Sequence, residues 1–210
     1  MKPAEASAGA AWVERFLRPH LECRFPDNRM ISCLQIAPDD TTEAEQLRRH
    51  GHSCIMVESG RELALSFGEE HFDFAFTGRF SLLAPDRESR LTFAKELHHI
   101  LRKGGSLLLV VGNQSCPVDL TRNGPLLHVP GACSCISLRA AEDLFLRQAG
   151  FTSLRTLNVQ GHFGWGSLPA LVRPFGQLLD LHWRFLATPA RRWLYSSPLN
   201  PTLILWLNKE

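Results

Sequence analysis

The sequence lacks most of the features that announce a function. It has 23 Lys and Arg against 21 Asp and Glu, a formal net charge of +2 over 210 residues. So small and evenly spread an excess gives no footing for nucleic acid, and no nucleic-acid partner is expected. The longest basic cluster, Arg191-Arg192, reads as a solvated helix face. No window reaches the roughly 18 apolar residues of a membrane-spanning helix. Met1 to Ala11 is small and polar and lacks the apolar stretch of a signal peptide. There is no internal repeat and no low-complexity segment. A soluble, cytoplasmic protein is expected.

Motifs of metal and nucleophile chemistry are missing too. None of the six cysteines forms a CxxC pair. Cys133-Ser134-Cys135 is a CxC with no second pair at zinc spacing, so no metal site is expected. Cys33 and Cys54 sit inside apolar runs and read as small core residues, which fits a reducing compartment. No G-x-S-x-G elbow exists, so Ser115, Asp119 and His128 do not read as a triad. His98-His99 has no carboxylate or cysteine at ligand spacing and reads as a cation at a helix C-terminus.

What remains is a globular composition, 44% hydrophobic and 21% charged, long enough for one sizeable core. Residues 1–29 read as a tail and helix, with apolar residues at helical spacing from Trp12 to Leu21. Residues 30–210 read as a single domain. Apolar runs predict strands at Met30–Ile36, Ser53–Val57, Phe72–Phe76, Ser106–Val111, Thr152–Asn158 and Thr202–Leu207. Helices are expected over Glu43–Arg49, capped by Thr41 or Thr42 and ended by Gly51, over Asp86–Leu101, ended by Lys103-Gly104-Gly105, and over Arg139–Gln148, stopped by Gly150. Strand and helix alternate, then two strands close the chain. That order predicts an α/β, three-layer, Rossmann-like sheet with helices on both faces. Two stretches exceed a minimal core, Asn113–Ser137 and 161–201. Both follow late strands, and ligands of open α/β sheets sit outside strand carboxyl ends.

Within this pattern, Phe72-Asp73-Phe74-Ala75-Phe76-Thr77 is followed by a helix and then Leu101-Arg102-Lys103-Gly104-Gly105-Ser106-Leu107-Leu108-Leu109. Leu65-Ser66-Phe67-Gly68 precedes it, and Ala149-Gly150-Phe151 comes later. Over residues 30–158 and the last strand, this order resembles the class I S-adenosylmethionine-dependent methyltransferases, in particular their type-11 group. The resemblance implies S-adenosylmethionine as cofactor and methyl transfer as the reaction. It assigns Glu58, at the end of the second strand, to the ribose hydroxyls. It places Ala37, Pro38 and Asp39 in the cofactor loop and Thr77-Gly78 beside the methionine portion.

The chain also departs from that family. The loop should read D/E-x-G-x-G-x-G, yet Gln35 replaces the acid, and Ala37 and Asp39 replace the first two glycines. Pro38 removes a backbone donor, and Asp39-Asp40 brings negative charge near the cofactor carboxylate. Only 13 residues separate Glu58 from Phe72, too few for the helix and strand the family fits there. The sheet is therefore expected to be shortened by one helix–strand unit after its second strand. Two functional readings stay open. One is methyl transfer to a small or lipid-like acceptor, with His128 in the segment Arg122–His128 as a base. The other is a pseudoenzyme, a non-catalytic scaffold serving as a protein-interaction module. Residues 168–193 mix Leu, Phe and Trp with Arg and His. They read as a helical cover on the sheet or, alternatively, as a lid for an apolar acceptor or a surface for peripheral membrane contact.

Overall fold

The structure is a computed structural model of the chain, and it describes residues 13–26, 29–36, 41–58, 67–78, 80–115, 135–157 and 202–210. The expected insertion 161–201, the loop residues Ala37, Pro38, Asp39 and Asp40, His128, Cys116 and Cys133 lie outside the described residues.

A π-helical turn, Val13–Leu17, runs into helix α1 (Arg18–Arg24), whose first turn tolerates Pro19 because no intrahelical donor is needed there. Strand β1 (Ser32–Ile36), helix α2 (Thr42–Arg49) and strand β2 (Ser53–Val57) follow, and β1 pairs parallel with β2. Strand β3 (Phe72–Thr77) leads through a short helix α3 (Phe80–Leu83) to helix α4 (Arg87–Ile100) and strand β4 (Leu101–Asn113). A two-residue strand β5 (Cys135–Ile136) pairs with the end of β4. Helix α5 (Leu138–Glu142) continues as a π-helical segment over Asp143–Gln148 and precedes β6 (Ser153–Leu157) and β7 (Thr202–Asn208).

The sheet has the order β2-β1-β3-β4-β7-β6, with β5 as a branch on β4. β7 runs antiparallel between β4 and β6. Among the described residues no strand lies outside β2, and residues 59–66, which lead on from it, lie outside the described residues. Strand alternation sends neighbouring side chains to two cores. Leu34, Ile36, Ala75, Leu107, Leu109 and Val111 pack with Ala94 and Leu97 of α4 and with Phe145. Cys33, Phe74, Phe76, Leu108 and Trp206 pack with Leu17, Leu21 and Leu47. Helices thus cover both sheet faces, and the three layers predicted from the strand–helix alternation are present. Each fully buried Leu or Phe adds about 1.5–3 kcal/mol.

Several local expectations need correction. Thr41 stands at the N-cap of α2, but its side chain makes no cap; its hydroxyl donates to Glu45 Oε1 instead. Helix α4 ends at Ile100, not at Lys103-Gly104-Gly105. Those residues belong to a kink inside β4, where pairing jumps from Phe72↔Leu101 to Phe74↔Ser106. Gly104 takes φ +76°, which a side chain disfavours. At Gly105 a Cβ would stand 2.7 Å from the Arg102 carbonyl oxygen and 3.1 Å from that of Asp73. The glycine pair is thus required by backbone geometry. A lysine from the far end of the chain also closes the end of α4. Lys209 Nζ donates to the carbonyl oxygens of His98 and Leu101, at 2.9 and 2.7 Å. Burial, aided by Lys209, lowers the pKa of His98 and favours its neutral form.

Candidate functional site at the carboxyl ends of β1, β2 and β3

After β1 the chain adds β2 on one side, then returns to add β3 on the other. That reversal makes the gap between β1 and β3 a topological switch point, the place outside whose carboxyl ends ligands of open α/β sheets sit. Register brings the ends level. Ile36 lies opposite Val57, and Gln35 lies opposite both Met56 and Phe76.

Three of the residues expected at a ligand site converge on this edge. Glu58 directly follows β2 and is exposed, and among the described residues its carboxylate has no hydrogen-bond or ion-pair partner. Thr77 ends β3 opposite Leu109 and is buried. Gly78 stands in the open: a Cβ built there meets nothing within 4 Å. Ala37, Pro38, Asp39 and His128 are not among the described residues.

The site also contains a pair that sequence reasoning missed. Gln35 is 4% exposed. Its Nε2 donates to Glu43 Oε2, 3.1 Å away in the first turn of α2. Its Oε1 is buried and, among the described residues, accepts no hydrogen bond. The opposite amide orientation would set a carbonyl oxygen against a carboxylate, so the carboxylate holds the amide this way round. An acceptor left unmet in this manner costs about 1–3 kcal/mol. The available signal was a lone amide in the apolar run Ile31–Ile36, with a carboxylate in the first turn of the next element.

The "FD" signature has a different task. Asp73, buried at the amino end of β3, accepts from the Ser32 backbone N–H at 2.8 Å, Arg29 Nη2 at 3.2 Å and Arg102 Nη1 at 3.2 Å. It ties the starts of β1, β3 and β4 together, at the opposite end of the strands from the switch point. A cavity of about 310 Å³ lies at this amino end as well, lined by Arg18, Glu22, Arg29, His50 and His52 over Leu21, Phe25 and Ile31. Its arginines are already paired, Arg18 with Glu14 and Glu22 and Arg29 with Asp73, so these charges brace α1 against the sheet. Among the described residues no three His, Cys, Asp or Glu side chains gather into a metal-sized group. Among them, too, no helix is long and apolar enough to cross a membrane.

No family model and no curated protein matches the chain by sequence. Solved structures do match in shape. A SAM-dependent methyltransferase from Archaeoglobus fulgidus superposes with a TM-score of 0.51 at 11% identity, over 93% of this chain and 94% of that one. The CurJ carbon methyltransferase gives 0.49 at 11% identity, over 94% of this chain and 53% of that one. A SAM-dependent methyltransferase from Thermotoga maritima gives 0.42 at 15% identity, over 96% of this chain and all of that one. At such identities only the fold is comparable, and the first likeness carries it: this chain has the Rossmann-like α/β fold of SAM-dependent methyltransferases.

Proposed function

We propose that the chain binds S-adenosylmethionine across the carboxyl ends of β1, β2 and β3 and passes its methyl group to a small or lipid-like acceptor. The observation that carries this reading is Glu58. It is an exposed carboxylate without a described partner, and it follows a strand whose register ends level with β1. Carboxylate oxygens in that position suit a pair of vicinal ribose hydroxyls, each of which donates one hydrogen bond. The open space at Gly78, next to buried Thr77, is consistent with a place for the sulfonium arm. The unmet acceptor on Gln35 offers a polar contact at the switch point.

S-adenosylmethionine would supply an electrophilic methyl group. The chain's part is to orient the two reactants in line and keep water out, which is where most acceleration of such a transfer arises. His128 is proposed as the group that takes a proton from the acceptor, and residues 168–193 as the cover over an apolar acceptor.

Isothermal titration calorimetry tests the reading. Wild-type protein is expected to bind S-adenosylmethionine and S-adenosylhomocysteine with micromolar Kd. Glu58→Ala should weaken both by roughly 10–100-fold, the loss of charge-assisted hydrogen bonds worth about 1.5–3 kcal/mol. No heat and no thermal shift with millimolar ligand would overturn it. The scaffold reading, suggested by the proline and acids of the cofactor loop, would then stand.

A further inference from the structure

We infer that the cavity between α1 and the segments leading into β1 and β2 is a binding site for a small aromatic carboxylate, with Arg18 and Arg29 holding its charge. It lies at the amino ends of the strands, away from the proposed methyl-donor site, and stands independently of it. Its volume of about 310 Å³ falls at the low end of the range that small-molecule pockets occupy, which suits a single-ring ligand. The floor is apolar, made by buried Leu21, Phe25 and Ile31. The rim is cationic, and bracing α1 uses only part of each guanidinium. Arg18 spends Nε on Glu22 and Nη1 on Glu14, and Arg29 spends Nη2 on Asp73. Among the described residues Arg18 Nη2 and Arg29 Nε and Nη1 meet no acceptor. Arg29 is held over the floor, its guanidinium carbon 5.6 Å from the centre of the Phe25 ring.

Charge selects the kind of ligand. The lining carries two guanidinium groups against one carboxylate, that of Glu22. His50 also lines the space, and its Nε2 is engaged by Glu14. Burial, with His50 and Arg18 nearby, lowers the pKa of His52, so this ring adds no charge at pH 7. Glu14 and Asp73 stand outside the lining, and each has a further cationic or basic partner, His50 and Arg102. A monoanion therefore balances the lining. A cation would face two guanidinium groups, and a phosphate dianion would leave one negative charge unanswered. A carboxylate also matches the planar fork of a guanidinium, whose N–H groups donate to both of its oxygens. A flat ring behind it covers the apolar floor and lies against guanidinium faces, as Phe25 already does.

The test titrates the full-length chain with phenylacetate, its neutral isostere phenylacetamide, and acetate, followed by two-dimensional amide NMR. Phenylacetate should shift the signals of Leu21, Glu22, Phe25 and His52 along one saturating curve. Phenylacetamide lacks the charge and acetate lacks the ring, so each should bind about tenfold more weakly. Arg18→Gln and Arg29→Gln should each weaken phenylacetate by about fivefold and leave phenylacetamide within about twofold. Glu22→Gln acts in the opposite direction. It removes the competing carboxylate and releases Arg18 Nε, so phenylacetate should bind about threefold more tightly. A gain of affinity cannot come from a variant that fails to fold. The absence of a saturable shift around the cavity, equal binding of acid and amide, or a Glu22→Gln variant no tighter than wild type would each overturn the site.

Discussion

Single residues in this chain divide between those that hold the backbone and those proposed to face a ligand. Gly105 belongs to the first group, and Gly105→Ala should lower unfolding stability by about 1–3 kcal/mol in urea denaturation, since its Cβ meets backbone oxygen atoms that cannot move aside. Gly78→Ala, with open space around it, should be nearly neutral in the same measurement and so separates the two roles. Asp73→Asn should cost about 2–3 kcal/mol. It leaves two guanidinium groups without their carboxylate, and their half-exposed positions keep the loss below that of a wholly buried pair. The thiols give another check. Burial pushes Cys54 up to about 11 and Cys33 well above its ordinary range, so both are poor nucleophiles at neutral pH. Native alkylation read by peptide mass spectrometry should label exposed Cys23 first and reach Cys33, Cys54 and Cys135 only after unfolding. The apolar surroundings of Cys33 and Cys54 were visible in the sequence; the unmet oxygen of Gln35 was not, because its lack of a partner is a property of three strands and a helix.

Among the elements, α4 shows how a helix is closed at both ends. Asp86 accepts from the Ser89 N–H at 2.9 Å and Ser89 Oγ returns to the Asp86 N–H, forming a capping box. Those bonds lower the pKa of Asp86, so its contribution is complete above about 3.8 and is lost as pH falls through the lowered value. Asp86→Ala should therefore lower the melting temperature at pH 7 and make little difference at pH 2. At the other end, Lys209→Met should strip two carbonyl oxygens of their donor and lower the melting temperature at pH 7. Histidines add a second pH dependence. Burial lowers His52 and His98 below their ordinary 6.5, so the folded chain resists protonating them. The unfolded chain takes up those protons first, and stability should fall as pH drops below about 6.5. Urea midpoints at pH 7.5 and 5.5 measure this, and the difference should shrink in His52→Gln and His98→Asn. Helix α4 was legible from its apolar spacing and its Asp86 start. The role of Lys-Gly-Gly was misread, because a glycine pair after a helix looks alike whether it ends the helix or bends the next strand.

For the molecule as a whole, the decisive feature is the reversal of direction around β1. It leaves one end where β1, β2 and β3 finish level, and the opposite end is braced by Asp73 and the paired arginines near α1. The proposed methyl-donor site and the structural bracing are thus separated by the length of the strands. Strand β7 holds the far half of the sheet together by lying between β4 and β6. Deleting residues 202–210 should abolish cooperative unfolding, monitored by near-ultraviolet circular dichroism, since it removes the shared partner of two strands.

Local pattern alone determined six of the seven strands, most helix boundaries, the α/β class and the position of Glu58 after β2, because periodicity, turn residues and caps act within a few residues of one another. Only the tertiary structure decided which strands are neighbours, that Lys209 caps a helix 108 residues before it, that Asp73 is a clamp, and that Gln35 holds an oxygen with no partner. Those facts depend on groups brought together from distant parts of the chain, and a carboxylate, an amide or an ammonium carries no mark in the sequence of the partner it will meet.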